Sequence, residues 1–222
     1  MSELTVTREN GVLEIQLHAP LLAVAVLEAL DSTLMAIADD STPWPVVIRG
    51  GHPTIFLAGA HLAEIANLDA TSARGYARRG RAVIDRLSHH PAPVVASVHG
   101  SCSGGGFDLV LGCDSVVAGP TTTFQHPGAA RGLVTGWGGT ERLTARIGRR
   151  LATAVLLEGR KLAAADALTL GLVHEIDTEP TATARRRARE LAVLSPERLA
   201  TWRQLRDGRF VDRFRAVMVH RL

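Results

Sequence analysis

Aromatic residues make up only 4% of these 222 residues, and tyrosine occurs once. So few rings leave no stacking platform for nucleobases. Lysine is nearly absent too: apart from Lys161 the basic residues are arginines, spread along the chain with local groups at Arg78, Arg79 and Arg81 and at Arg185, Arg186, Arg187 and Arg189. Both groups fall in stretches that read as helices, where such a run is a solvated face. With a formal net charge of only +3, nucleic acid is not an expected partner, whereas an anionic small ligand is compatible. Cysteine is scarce. Cys102 and Cys113 have no companion Cys or His pair at zinc-finger spacing, which argues against a structural zinc site, and a disulfide is not expected in a reducing compartment. No apolar run approaches the ~20 residues a membrane span needs, and the first residues lack the basic start and apolar middle of a secretory leader. A cytoplasmic protein without a membrane partner is the expectation.

What is present suits one globular domain: 46% hydrophobic and 21% charged residues, enough for a sizeable core. "LTVTRENGVLEIQL" alternates apolar and polar residues on both sides of Asn10-Gly11, a strong hairpin signal. Residues 22–38 read as a helix, 45–50 as a buried strand, and 56–65 as a loop running into a helix. A charged helix spans 72–87 and is stopped by Pro91 and Pro93 before the strand "PVVASVH". A glycine cluster then opens a helix over 104–112, a strand follows at 115–118, a glycine-rich loop at 128–139, and helices fill the remainder. Strands alternating with helices predict an α/β domain.

The cluster "GSCSGGGFDLVLGCD" admits three readings. Gly100-Ser101-Cys102-Ser103-Gly104 fits a cysteine nucleophile elbow, with Asp166 or Asp177 and His174 or His220 as downstream partners; the competing view is that Cys102 is a small buried residue without reactivity. A phosphate loop is excluded because no Gly-Lys-Ser/Thr follows, and Gly104-Gly105-Gly106 lacks a dinucleotide fingerprint. In the third reading, glycines at a helix start leave backbone N–H groups unpaired and favoured by the helix dipole to meet negative charge. A second donor from "LAGAHL" would complete an oxyanion hole.

Four segments, "FLAGAHLAEI", "PVVASVHGSCSGGGFDLVLGCD", "FQHPGAARGLVTGWGGTERLTARIG" and "LLEGRKLAAADALTLGLVHEI", occur in an order and spacing that resemble the crotonase, or enoyl-CoA hydratase/isomerase, superfamily. The resemblance covers about residues 4 to 177. It implies a crotonase-like spiral of ββα turns as a core over 1–177, a short helical segment over 178–222 concerned with oligomerisation or site cover, and assembly as a trimer or hexamer. It also implies an acyl-CoA or acyl-carrier thioester as substrate, with no metal or cofactor beyond the coenzyme A of the substrate. By position, the thioester oxygen would be held by the N–H groups of Ala60 and Gly105, and Ala58, Gly59, Gly104, Gly128 and Trp137 would surround the substrate. Cys102 would then be packing.

The hydratases that the chain resembles use two glutamates to hold a water and move its protons. Asp108 stands at the first position, a carboxylate with its reach shortened by roughly 1.5 Å, and Gly128 stands at the second. One carboxylate beside an oxyanion hole still suffices to move a proton α to a thioester, so a lyase or isomerase working through an enolate is the expectation. His61, directly after Ala60, and His126, before Pro127 and Gly128, are candidate auxiliary acids or bases because histidine titrates near neutrality. Thr135 stands in a segment where some relatives carry an aspartate, and Trp137 is expected to line or close the acyl pocket. The sequence stops with "SPERLATWRQLRDGRFVDRFRAVMVHRL", which suggests an open pocket, a carrier-protein thioester, or completion by a partner enzyme. The alternative is a non-catalytic or accessory subunit that binds acyl thioesters on the same fold; a cysteine hydrolase is a third.

Overall fold

The structure is a computed structural model that describes residues 2–41, 43–194 and 196–206. Its first elements are β1 (Leu4–Glu9), β2 (Val12–Leu17), β3 (Leu21–Leu22), α1 (Val24–Ala38), β4 (Val46–Gly50), β5 (Ile55–Leu57), β6 (Gly59–Ala60), α2 (Leu62–Ala66) and α3 (Ala70–Ser88). Then come β7 (Val94–Val98), β8 (Ser101–Ser103), α4 (Gly105–Gly112), β9 (Ser115–Ala118), β10 (Thr123–Gln125), a 3-10 turn over Pro127–Arg131, and α5 (Gly139–Leu156). The last are β11 (Leu162–Ala163), α6 (Ala164–Thr169), β12 (Glu175–Ile176), α7 (Pro180–Leu191) and α8 (Pro196–Arg206).

The hairpin forms where Asn10-Gly11 predicts it. Both residues take positive φ, 50° and 77°, as the tight turn matching strand twist requires, and the register runs from Leu4 opposite Leu17 to Glu9 opposite Val12. β2 opens a six-stranded sheet in the order β1-β2-β4-β7-β9-β12, in which only β1–β2 is antiparallel. Because strand side chains alternate in direction, the same strands serve two cores. Leu13, Ile15, Val46, Ile48, Val94 and Ala96 point into the large core with α1, α3 and α4. Val12, Val47, Val95 and Val117 point the other way and are covered by Ala184 and Ala188 of α7.

A second sheet, β11-β10-β8-β5, carries the chain to the start of α4. The expected α/β spiral is present, with two differences of detail. The helix read from residue 22 starts at Val24, because Leu21 and Leu22 are extended against Gly59 and Ala60. The stretch read as a loop from 56 contains β5 and β6. Strands this short hold too few residues for alternation to show in sequence; their partners, β8 and β3, define them. Among the described residues no helix is long and apolar enough to cross a membrane.

α8 is held by a buried ion cluster. Arg203 Nε and Nη2 donate to Asp114 Oδ1 and Oδ2 at 2.7 and 2.6 Å. Its other donors reach the carbonyls of His90 and Ala92. Asp114, two residues after α4, also accepts the Val94 N–H at 2.9 Å and Arg206 at 3.1 Å. His90 is buried beside this cluster with Nε2 lacking a hydrogen-bond partner. Burial is the main cause holding its imidazole below the ordinary 6.5, and the Arg203 cation acts in the same direction. The folded chain therefore keeps His90 neutral while the unfolded chain takes up a proton, so its contribution is present above that pH and is lost as pH falls below it. His90→Asn should flatten this part of the pH dependence, read as a smaller drop in urea midpoint between about pH 7 and pH 5.5 than in the wild type.

Candidate active site

The glycines around α4 allow two loops to meet backbone to backbone. Gly59, at φ 99°, has no room for a side chain: a Cβ there would lie 3.0 Å from the Ser103 carbonyl oxygen and 3.1 Å from the Gly105 nitrogen. A Cβ on Gly106 would lie 2.4 Å from that of Leu57. Ser103 Oγ ties the two loops by donating to the Ala58 carbonyl at 3.1 Å, and the Gly104 N–H donates to Gln125 of β10 at 3.0 Å. Gly105 is the first residue of α4, so its N–H belongs to the opening turn, where no earlier helical carbonyl can meet it. The helix dipole favours negative charge there.

Asp108 lies one turn further on, its N–H bonded to the Gly104 carbonyl at 3.0 Å. Its carboxylate is buried, with a side chain 1% exposed. Thr135 Oγ1 donates to Oδ2 and in turn accepts the Trp137 N–H at 3.2 Å. The other oxygen, Oδ1, stands 3.1 Å from His126 Nε2, but the pair is not aligned as a hydrogen bond, and both atoms lack a partner. Room for Oδ1 exists only because residue 139 is glycine: a Cβ there would lie 1.8 Å away. Phe107 fixes the His126 ring from its other side, at a centroid distance of 5.4 Å and 30° between planes. The site thus combines a buried carboxylate, a buried imidazole and a helix start, with one oxygen and one nitrogen left uncommitted.

The structure brings Ala58, Gly59, Gly104, Gly105, Asp108, His126 and Trp137 into this region, and it adds Thr135. In sequence the only signal at Thr135 is a hydroxyl among glycines and apolar residues. Its orienting role gives a direct test. Were Asp108 to act as a base, Thr135→Val would slow its proton transfer about 10- to 100-fold, the value of a hydrogen bond to a charged group, and Thr135→Ser would restore it.

Other candidates are placed differently. His61 is the N-cap of α2, where Nδ1 accepts the Glu64 N–H at 3.4 Å. Gly128 could not carry a side chain without movement, since a Cβ would meet the Leu133 carbonyl at 2.8 Å. Cys102 is fully buried within β8, opposite Phe124 and Leu57, and burial pushes its thiol well above the ordinary value. Such a thiol is not a nucleophile. Of the elbow's partners, Asp177 accepts the Glu179 N–H and the Thr183 hydroxyl, His174 accepts the Val116 N–H, Asp166 lies in the first turn of α6, and His220 lies outside the described residues.

A spiral of short ββα units whose paired glycine loops meet beside a buried carboxylate defines the crotonase fold class, and comparison with known proteins agrees. Residues 7–209 match the sequence profile of the enoyl-CoA hydratase/isomerase family, and the chain belongs to that family. It is 36% identical over 180 residues to the 2,3-dehydroadipyl-CoA hydratase of Escherichia coli K12, covering 79% of this chain and 69% of that one. It is 30% identical over 155 residues to the short-chain-enoyl-CoA hydratase of Clostridium acetobutylicum, covering 70% and 59%. The chain thus spans little more than half the length of some curated relatives that it matches. The solved structure of Pseudomonas aeruginosa DspI superposes with a TM-score of 0.87 at 26% identity, over 99% of this chain and 95% of that one.

Proposed function

We propose that the protein is an acyl-CoA or acyl-carrier thioester lyase or isomerase that works through a thioester enolate. The observation that carries this reading is the buried Asp108 carboxylate, with Oδ1 uncommitted, one helical turn from the Gly105 N–H. The thioester carbonyl oxygen would accept hydrogen bonds from the N–H groups of Ala60 and Gly105. Asp108 would then remove the α-proton; as that C–H bond breaks, its electron pair moves to the carbonyl oxygen, where the dipole of α4 and the two donors stabilise the charge. Returning the proton to another carbon migrates a double bond. Expelling a β-hydroxyl as water needs a proton on the leaving oxygen; His126, 3.1 Å from Asp108, would give that proton and regain one from the carboxyl that took up the α-proton, so that no net proton is consumed. In this reading Asp108 is the single carboxylate base expected from sequence, and His126 takes the auxiliary part for which it is a candidate. None of these steps calls for a metal or a redox cofactor.

The relatives named as hydratases support the thioester class. The second reading, a thioester-binding subunit without turnover, draws on Gly128, where the Leu133 backbone occupies the space for a side chain. Deuterium wash-in at the α-carbon of butyryl-CoA in D₂O separates the two. Exchange supports the enzyme, whereas tight binding without exchange supports the subunit.

A further inference from the structure

Trp137 is the largest side chain at the site, and the proposed chemistry gives it nothing to do. Its indole is 4% exposed and is seated against two positions that have no side chain. A Cβ on Gly105 would lie 2.2 Å from its Cζ3, and a Cβ on Gly80 of α3 would lie 2.1 Å from its Cε2. The ring therefore fills the gap between α3 and the first turn of α4 in contact with both backbones. Tyr76, one turn before Gly80, closes the same gap at a centroid distance of 5.7 Å. The loop that carries the indole is tied at both ends. The Trp137 N–H is bonded to Thr135, which also holds Asp108, and its carbonyl accepts from Arg142 at 3.2 Å, whose guanidinium pairs with Asp85 of α3.

We propose that Trp137 is the specificity-determining residue for acyl length and restricts this site to short acyl groups. The inference rests on the thioester reading above. An acyl group with its oxygen on the Gly105 N–H and its α-carbon at Asp108 enters at the first turn of α4. The volume its further carbons would need, between α3 and α4, is the volume the indole occupies. Gly80 and Gly105 are the positions where any side chain would expel the ring, so the packing is complementary on both faces.

The test is calorimetric binding of acetyl-, butyryl- and octanoyl-CoA to the full chain and to Trp137→Ala and Trp137→Leu. A few methylenes in an apolar pocket discriminate by about tenfold or more. The wild type should therefore bind butyryl-CoA at least about tenfold more tightly than octanoyl-CoA, and Trp137→Ala should erase or reverse that ratio. Trp137→Leu keeps an apolar filling and so guards against loss of fold in the alanine variant; its ratio should fall between the other two. Equal binding of butyryl- and octanoyl-CoA by the wild type, as when the indole swings aside, overturns the proposal. So does an unchanged ratio in the folded variants, and both outcomes leave thioester binding intact. If none of the three acyl-CoA thioesters binds, the acyl-CoA form of the thioester reading fails, and the length restriction with it.

Discussion

Asp108→Asn is expected to slow α-proton exchange by about 10²- to 10⁴-fold, the usual contribution of a positioned general base. The substitution keeps the shape of the side chain and leaves an oxygen able to accept from Thr135 Oγ1, so the packing around Phe107, His126 and Gly139 is preserved. What it removes is the basic oxygen facing His126. Affinity for the thioester should change little, because the proposed donors to the carbonyl oxygen are backbone N–H groups. The decisive comparison is the rate of deuterium incorporation at saturating acyl-CoA for wild type and variant, with unfolding midpoints measured in parallel. A wild type that exchanges and a folded variant within about threefold of it would remove Asp108 from the mechanism.

Arg203→Ala is expected to cost about 3–5 kcal/mol of stability, the range for breaking a buried ion pair and leaving one charge without its partner. For a chain of this size each kcal/mol moves the unfolding midpoint by about 2–4 °C, so the fall should be on the order of 6–20 °C. Arg203 and Asp114 are both buried, and the pair is reinforced by the His90 and Ala92 carbonyls and the Val94 N–H. Asp114→Asn should be of similar severity, because it strands two cations, Arg203 and Arg206, at one neutral side chain. The double variant should lose less than the sum of the two single losses, since the residues share one interaction. Thermal unfolding of the four proteins measures this. A midpoint for Arg203→Ala within about 2 °C of the wild type would show that α8 is not secured by this cluster. The cluster bears on the site as well: Asp114 stands two residues after the end of α4, the helix whose other end carries Gly105 and Asp108.

Much of the frame is legible in the residues themselves because its causes are local. Asn10-Gly11 between alternating runs makes a hairpin whatever lies beyond it, and the apolar stretches at 46–50 and 94–98 can be satisfied only as buried strands. The glycines at 104–106 announce a helix start whose N–H groups lack helical partners, and the four family segments point to the same place as a candidate site. The weak points were also short-range in nature: two- and three-residue strands carry no periodicity to read.

What sequence could not decide is every relation that depends on chain folding back on itself. Thr135 and Asp108 are 27 residues apart, and Arg203 and Asp114 are 89 apart; no local pattern marks either pair, since a hydroxyl or a guanidinium reads the same on any exposed loop or helix. His61 and His126 looked equivalent as candidates. Tertiary structure gives them different surroundings: one caps a helix start, and the other stacks on Phe107 3.1 Å from a buried carboxylate. Trp137 shows the same division. Its presence was plain, but its packing between Gly80 and Gly105 exists only once α3 and α4 lie side by side, and that proximity arises from burying the large core, a nonlocal free energy no single segment carries.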